Sequence, residues 1–220
     1  QRMCVDLLEE FKKDKKAKHF VLTGYAGVGK SMLTAKYILP MFKDIALTAT
    51  THKACEAINK NLGSNIAQTI HSLLSLKLKR KDDKQVLVQE GTPDVPPIIL
   101  IDEASMLGED LMSFILPLNA KVIFVGDPKQ QGPITDDGTN DISSCFGLDT
   151  PYKIMLTEVT RQALDNPIIS LATEIRESNH RYDVYQVQSS NKVFKTGKQN
   201  DEIAASSASA IQKDIDARFI

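Results

Sequence analysis

Apolar residues along the chain follow two spacings, which predict strands that alternate with helices. Strands are predicted at short, continuous apolar runs, residues 19–23, 45–50, 98–102, 122–127 and 153–156. Helices are predicted where apolar residues recur every three to four positions, at residues 2–11, 31–39, 53–61, 109–118 and 167–177. Strands that alternate with helices pair in parallel, and continuous apolar strands are covered on both faces. We therefore expect an α/β fold, with a parallel sheet between two layers of helices.

Residues 76–97 interrupt this pattern. They contain a lysine-rich stretch, a short apolar run at 86–88 and a turn with three prolines. Such a sequence predicts an inserted β-hairpin. Residues 1–75 and 98–220 are then expected to form one domain around the insertion. In the tail, isoleucines at helical spacing over residues 201–215 favour a helix.

The composition excludes several classes of protein. With 220 residues, 42% hydrophobic and 25% charged, the chain is unlike disordered, collagenous or coiled-coil sequences. No apolar run approaches the roughly 20 residues that a membrane span requires, and the first residues lack the core of a signal peptide. Cys4, Cys55 and Cys145 are too far apart for a paired metal motif. We therefore expect a cytoplasmic protein with reduced thiols and no membrane contact. A net charge of -1 leaves nucleic-acid binding open.

A glycine-rich segment joins the first predicted strand to the next helix. Residues 24–31 read Gly-Tyr-Ala-Gly-Val-Gly-Lys-Ser and fit the phosphate-loop pattern G-x-x-x-x-G-K-[ST]. Glycines let backbone N–H groups surround a phosphate, and the helix N-terminus adds a partial positive charge. Lys30 would reach the β and γ phosphates, and the Ser31 hydroxyl would bind Mg²⁺. The alternative is a glycine-rich turn without a ligand.

Acidic and polar residues follow the later apolar strands. Asp102 and Glu103 end the run at 98–102, at the edge where parallel sheets bind ligands. One carboxylate can hold Mg²⁺ while the other activates water, and strand alternation would point the two in different directions. The alternative is an acidic helix cap. Gln130, after the run at 122–127, can contact both the attacking water and the γ-phosphate, with a common turn as the alternative. Arg161 alone would be read as a surface residue.

Taken in order, these segments resemble the first motor domain of superfamily 1 helicases, in the RecD and Dda branch of 5′-to-3′ DNA helicases. The matching segments are the phosphate loop, Ala-Thr-Thr-His-Lys-Ala at 49–54, Thr-Ile-His-Ser-Leu-Leu at 69–74, Asp-Glu-Ala-Ser at 102–105, Gly-Asp-Pro-Lys-Gln at 126–130 and Leu-Thr-Glu-Val-Thr-Arg at 156–161. Residues 166–176 match the following helix of Dda-like proteins. The resemblance covers nearly the whole chain and implies a RecA-like P-loop ATPase fold.

The resemblance also implies roles for single residues. Lys30 would be catalytic together with Glu103 as the base, Gln130 as the γ-phosphate sensor and Arg161 as an arginine finger. Ser31 and Asp102 would bind the metal. The nucleotide would be contacted by a set in which Gln1 reads adenine: Gln1, Tyr25, Ala26, Gly27, Val28, Gly29, Lys30, Ser31 and Met32.

For single-stranded DNA, the resemblance implies contacts from Thr51, His52, Lys53, Thr69 and His71. Hydroxyl groups and a lysine suit contacts to phosphates better than base reading. The alternatives are a helix cap at Thr50 or Thr51 and a packed or capping role for His71.

Related helicases carry a β-hairpin wedge at the place of residues 76–97. This insertion contains no Phe, Tyr or Trp, so strand separation would depend on Val86, Leu87 or Val88, or on the prolines. The basic residues at 77–81 would either contact phosphates or form a solvated face.

We therefore expect the N-terminal motor domain of an ATP-dependent DNA helicase of replication, recombination or repair. ATP and Mg²⁺ are the expected cofactors. Single-stranded DNA and a second RecA-like domain of the same full-length protein are the expected partners of a monomer. The second domain is expected outside this chain, because no later segment matches its motifs. Two alternatives remain, a P-loop ATPase that does not act on nucleic acid and a DNA-binding adaptor that does not hydrolyse ATP.

Overall fold

The computed structural model describes residues 2–25, 27–81, 84–133, 141–157, 187–189 and 192–194. By its contacts the chain divides into two units, Gln1–Val159 and Thr160–Ile220. The helices expected at 167–177 and 201–215 lie outside the described residues. The described part of the second unit is an antiparallel strand pair that the sequence reading did not anticipate, β9 (Val187–Ser189) with β10 (Lys192–Phe194).

The apolar runs of the first unit form a six-stranded sheet. Its strands are β1 (His19–Gly24), β2 (Ile45–Ala49), β3 (Gln68–Thr69), β6 (Ile98–Asp102), β7 (Lys121–Gly126) and β8 (Lys153–Leu156). The spatial order is β3-β2-β6-β7-β1-β8, and every neighbouring pair is parallel. The predicted α/β fold with a parallel sheet is therefore confirmed. The short strand β3 was missed because two residues give no periodic signal.

Helices cover both faces of this sheet. One face carries α1 (Arg2–Lys13), α2 (Lys30–Leu33), α3 (Leu39–Met41) and α4 (His52–Leu62), and the other carries α5 (Ile70–Leu73) and α6 (Glu109–Ile115). Successive strand residues alternate between the two cores. Ile99 and Ile101 face α5 and α6, whereas Leu100 between them faces α1 and α2. This alternation explains why the central strands read as unbroken apolar runs.

The helix after the phosphate loop is longer than expected. The sequence predicts an end before Pro40, but the helical path continues through a π-helical turn at Thr34–Ile38 into α3, which contains Pro40. In the π turn, the N–H of Leu39 bonds to the carbonyl of Thr34. The wider turn lets the chain pass a residue that has no N–H to donate.

In contrast, α6 is shorter than the predicted helix at 109–118. It ends at Ile115, with Leu116 as its C-cap. Pro117 follows directly, and the residue before a proline is disfavoured in a continuing helix. The proline signal was present in the sequence and was not used.

The inserted hairpin is confirmed. Its strands are β4 (Leu76–Lys81) and β5 (Lys84–Gln89), which pair in antiparallel fashion from Leu76 opposite Gln89 to Lys81 opposite Lys84. Leu76 is buried, and Leu87 packs against the core next to α5 and α6. Side chains on one face of the hairpin therefore attach it to the domain.

Aromatic packing fixes the end of α1 against the sheet. The Phe11 ring lies 5.5 Å from that of Phe20 and 5.3 Å from that of Tyr152. Lys121 lies over the Phe11 ring and donates to the carbonyls of Phe11 and Asp14. The Asp14 carboxylate also accepts a hydrogen bond from the Tyr152 hydroxyl at 2.9 Å. Residues far apart in sequence thus meet at one helix end.

All three cysteines are free and buried. They lie in different parts of the domain, Cys4 in α1, Cys55 in α4 and Cys145 in a short 3-10 helix. Burial raises the pKa of each thiol, to about 11 for Cys4 and Cys145. Among the described residues, no helix has the length and apolar character needed to cross a membrane.

We expect Phe11→Ala to lower the free energy of unfolding by roughly 3 to 5 kcal/mol, because it removes a fully buried ring and leaves a cavity. Urea denaturation measures this change. Met3→Ala is the matched control, since Met3 lies on the same helix with 74% of its surface exposed. Equal effects of the two substitutions would contradict the packing role of Phe11.

Candidate functional site

The phosphate loop leaves the end of β1 and enters α2. Gly27 and Gly29 adopt positive φ values of 78° and 89°, a conformation that other residues rarely take. Gly29 is the N-cap of α2. The Val28 side chain is buried in the core, so this position presents its backbone to a ligand. Gly24 is required for a different reason, because a Cβ atom there would lie 2.8 Å from Val28 Cγ2 and 2.9 Å from the Leu156 carbonyl oxygen.

Lys30 bends back over the loop that precedes it. Its Nζ atom donates to the carbonyl oxygens of Gly24 at 2.7 Å and Tyr25 at 3.0 Å. The ammonium group is therefore held close to the loop, where phosphate oxygens would meet it. Ser31 and Met32, the next two residues, are exposed at the start of the helix. This arrangement matches the expected phosphate-binding geometry.

The acidic pair lies at the carboxyl end of β6. Asp102 is the last strand residue, and its Oδ1 atom accepts a hydrogen bond from the Glu103 N–H at 2.9 Å. Glu103 has a left-handed backbone with φ 53° and begins a 3-10 helix at Ala104–Met106. The two carboxylates are therefore separated by a sharp turn and not by strand alternation. A left-handed non-glycine residue costs about 1 to 3 kcal/mol and is typical of functional sites.

The charges of the pair are coupled to Lys30. Burial raises the pKa of Asp102, while the Glu103 N–H and Lys30 lower it. Burial and the Asp102 charge raise the pKa of Glu103, Asp127 adds to the rise, and Lys30 opposes it. A carboxyl group with a raised pKa is a better proton acceptor. Glu103 thus has the properties of a general base, and Asp102 lies closer to the lysine.

Gln130 is placed by a turn that Asp127 organises. Asp127 is buried, and its side chain accepts a hydrogen bond from the Lys129 N–H at 3.0 Å. Its carbonyl accepts another from the Gln130 N–H, also at 3.0 Å. Gln130 is exposed at the end of this turn. The segment is therefore a turn, as the alternative interpretation held, and this turn carries the proposed sensor to the edge of the sheet.

Two residues that the sequence reading did not single out pack against this edge. Cys145 Sγ lies within hydrogen-bond distance, 3.5 Å, of the Ala104 carbonyl oxygen, directly after the acidic pair. The Phe146 ring lies so close to Gly126 that a Cβ atom there would be 3.0 Å from the Phe146 Cζ atom. Residues 144–147 thus support both the turn after Asp102 and the end of β7. No local motif marks them, because their role arises from tertiary contact.

Ser31 and Asp102 have the oxygen donors that suit Mg²⁺. Both line one cavity of about 250 Å³, which also contacts α4 through Asn61 and Leu62. No group of three or more His, Cys, Asp or Glu side chains suited to a metal occurs within the described ranges. A magnesium ion here would depend on one hydroxyl, one carboxylate, phosphate oxygens and water, which is its usual mode at nucleotide sites.

The residues expected to contact DNA lie at the adjoining edge of the sheet. Thr51 caps α4, and its Oγ1 atom accepts a hydrogen bond from the Ala54 N–H at 3.2 Å. Thr69 caps α5 in the same way, with the Ser72 N–H at 3.1 Å. The capping role that was left open for Thr51 is therefore real. Each hydroxyl retains its own hydrogen, which can be donated to a phosphate.

The two histidines come from the same two helix starts. Burial lowers the pKa of His71, and the charge of His52 lowers it further. His71 is half-buried, whereas His52 and Lys53 are exposed. The structure thus brings together all five expected DNA-contacting residues beside Asp102, since Ala49 pairs with both Thr69 and Asp102. Gln1, Ala26 and Arg161 lie outside the described residues.

Comparison with known proteins agrees with this geometry. Residues 7–198 match the model of a family described as an AAA domain. The chain belongs to the AAA domain family. This AAA domain is 32% identical over 194 residues to the ATP-dependent DNA helicase Dda of enterobacteria phage T4, covering 83% of the chain and 43% of Dda. It is 34% identical over 158 residues to the ATP-dependent RecD2 DNA helicase of Deinococcus radiodurans, covering 69% of the chain and 21% of RecD2.

The resemblance to the RecD and Dda branch is confirmed by these relatives, and the AAA domain spans less than half of the length of each. Among solved structures, a Pif1 helicase from a study of unwinding at forked double-stranded DNA has a TM-score of 0.57 at 20% identity, covering 79% of the AAA domain and 47% of that chain. A Bacteroides Pif1 helicase in complex with ADP-AlF3 and ssDNA has a TM-score of 0.54 at 20% identity, covering 78% and 45%. These neighbours confirm the RecA-like fold.

We expect Gly126→Ala in the AAA domain to lower the free energy of unfolding by about 1 to 3 kcal/mol. The added Cβ would lie 3.2 Å from the backbone nitrogens of Ala104 and Ser105 as well as close to Phe146. Backbone atoms cannot move without displacing the acidic pair. Gly147→Ala is the control, since nothing lies within 4 Å of its Cβ position. Denaturant unfolding that gave the same midpoint for both variants would contradict this packing.

Proposed function

We propose that the chain is the N-terminal motor domain of an ATP-dependent DNA helicase. It binds ATP with Mg²⁺ and single-stranded DNA, and it couples hydrolysis to translocation and unwinding in the 5′-to-3′ direction. The observation that carries this proposal is the placement of Lys30 and the Asp102–Glu103 pair at one edge of the sheet. The printed descriptions of Dda and RecD2 as ATP-dependent DNA helicases support it.

At the ATP site, each residue has one task. Lys30 binds the β and γ phosphates, and Ser31 and Asp102 hold Mg²⁺, which neutralises charge on the phosphates when it is bound. Glu103 accepts a proton from the attacking water, and Gln130 positions that water. Arg161 is proposed as the arginine finger and Gln1 as the adenine contact. A second RecA-like domain of the full-length protein completes this site.

The sheet gives a physical link between ATP and DNA. The register places Ala49, at the end of β2, between Asp102 and Thr69. Only two further residues separate Ala49 from His52, the first residue of α4. A small displacement of α4 on DNA binding would therefore act directly on the strand beside the metal-binding carboxylate. Such coupling is reciprocal, so ATP binding would change the affinity for DNA by the same factor.

The decisive experiment measures ATP hydrolysis by the protein at its full natural length, with and without single-stranded DNA. We expect strong stimulation, and we expect Lys30→Ala and Glu103→Gln each to reduce the stimulated rate by about 10² to 10⁴. Lys36→Ala is the control, because Lys36 is an exposed lysine on the same helical segment. Circular dichroism checks that each variant is folded.

The outcomes separate the alternatives. Hydrolysis without stimulation by DNA would indicate an ATPase that does not act on nucleic acid. DNA binding without hydrolysis would indicate an adaptor. Full turnover in Glu103→Gln would overturn the assignment of the base.

The pH dependence of hydrolysis tests the role of Glu103 in a second way. A general base must be ionised, and burial with the Asp102 charge raises the pKa of Glu103 above 4.5. The rate should therefore fall as the pH decreases, and the fall should begin above the range of an ordinary glutamate. The raised pKa of Asp102 acts in the same direction, since a protonated carboxyl binds Mg²⁺ poorly. A kcat that stays constant down to pH 4.5, with folding verified, would contradict this role.

A further inference from the structure

One face of the inserted hairpin carries basic side chains. In the β4–β5 register, Lys77 stands opposite Val88 and Lys79 opposite Val86. Opposite residues of an antiparallel pair project to the same side, and side chains alternate along each strand. These two lysines therefore share a face that is distinct from the one through which Leu76 and Leu87 contact the core. We call this the lysine face.

A single carboxylate joins both lysines of this face. The N–H of Glu90 donates to the Ser75 carbonyl at 2.8 Å, which extends the strand pairing by one residue and puts Glu90 on the lysine face. Glu90 Oε2 lies 2.8 Å from Lys77 Nζ, and Glu90 Oε1 lies 2.8 Å from Lys79 Nζ. Two cations thus share one anion, and a net positive charge remains.

These ion pairs are not needed to hold the hairpin together. The side chains of Lys77 and Lys79 are 68% and 53% exposed, and that of Glu90 is 37% exposed. Exposed pairs of this kind contribute about 0 to 1 kcal/mol to stability. Lys79 pairs with Val86 in the ladder, four residues from Glu90, so its side chain extends back along the hairpin to reach the carboxylate. The contact restrains long side chains and gives little stability in return.

Protonation does not release the lysines. The two ammonium groups lower the pKa of Glu90 to about 2, so the carboxylate stays ionised at any physiological pH. An anion that competes for the ammonium groups can release them. A phosphodiester backbone is such an anion, because it offers separate oxygen atoms to each lysine while Glu90 returns to water.

We propose that the lysine face binds the phosphates of single-stranded DNA and that Glu90 occupies Lys77 and Lys79 until DNA phosphates replace it. The inference rests on the proposed function, which supplies the DNA strand. Glu90 then acts as an internal competitor that weakens the grip of the hairpin on DNA. Weak, exchangeable phosphate contacts allow a protein to slide along a strand.

The test uses the full-length protein and a fluorescent oligothymidylate, with the dissociation constant measured by anisotropy over a series of salt concentrations. Glu90→Gln should tighten binding several-fold. It should also steepen the slope of log K against log salt by about 0.7 for each phosphate gained. In a Lys77→Ala/Lys79→Ala background, Glu90→Gln should have no effect, because nothing remains to release.

A matched control removes the same charge elsewhere. Glu9 pairs with Lys13 at 4.0 Å on α1, with both side chains more than half exposed. Equal gains in affinity from Glu9→Gln and Glu90→Gln would reduce the effect to net charge and overturn the proposal. An unchanged slope in Glu90→Gln, in a protein that binds DNA, would also overturn it while the proposed function stands. A full-length protein that does not bind DNA would instead overturn the proposed function.

Discussion

The parallel pairing of β6, β7 and β1 is the constraint on which the site depends. Because the three strands run in one direction, the segments that follow them meet at a single edge. The register pairs Ile101 with Phe124 and Thr23 with Gly126. A slip of one residue would exchange the two cores and remove Asp102 from the edge. The apolar pattern that makes these strands central therefore also fixes the positions of the polar residues after them.

The site that results has an excess of negative charge. Asp102, Glu103 and Asp127 act on one another, and Lys30 is the lysine that lowers the pKa of the first two. Buried carboxylates at short range destabilise each other unless a cation joins them. The fold accordingly stores a preference for positive charge, and a divalent cation or an arginine from another segment would relieve it. Stability is exchanged here for affinity towards a charged ligand.

Much of this organisation could be read from sequence. The strands, the hairpin and the phosphate loop carry strong local signals, and the structure brings the candidate residues together as the motifs indicate. Other features have no such signal. The π turn before Pro40 depends on how the helix packs, and the support of Ala104 by Cys145 depends on contacts across 41 positions. The role of Glu90 was hidden because a charge run does not show which charges are paired. Tertiary contact decides each of these cases.

The burial of the three thiols makes the chain its own probe of local opening. Cys4, Cys55 and Cys145 lie respectively in α1, in α4 and beside the acidic pair. A buried thiol with a raised pKa reacts with an alkylating reagent only while the surrounding structure is open. The alkylation rate of each cysteine therefore reports the free energy of opening at its own position. Movements of α4 and of the acidic turn can be followed separately in this way, without introducing any label.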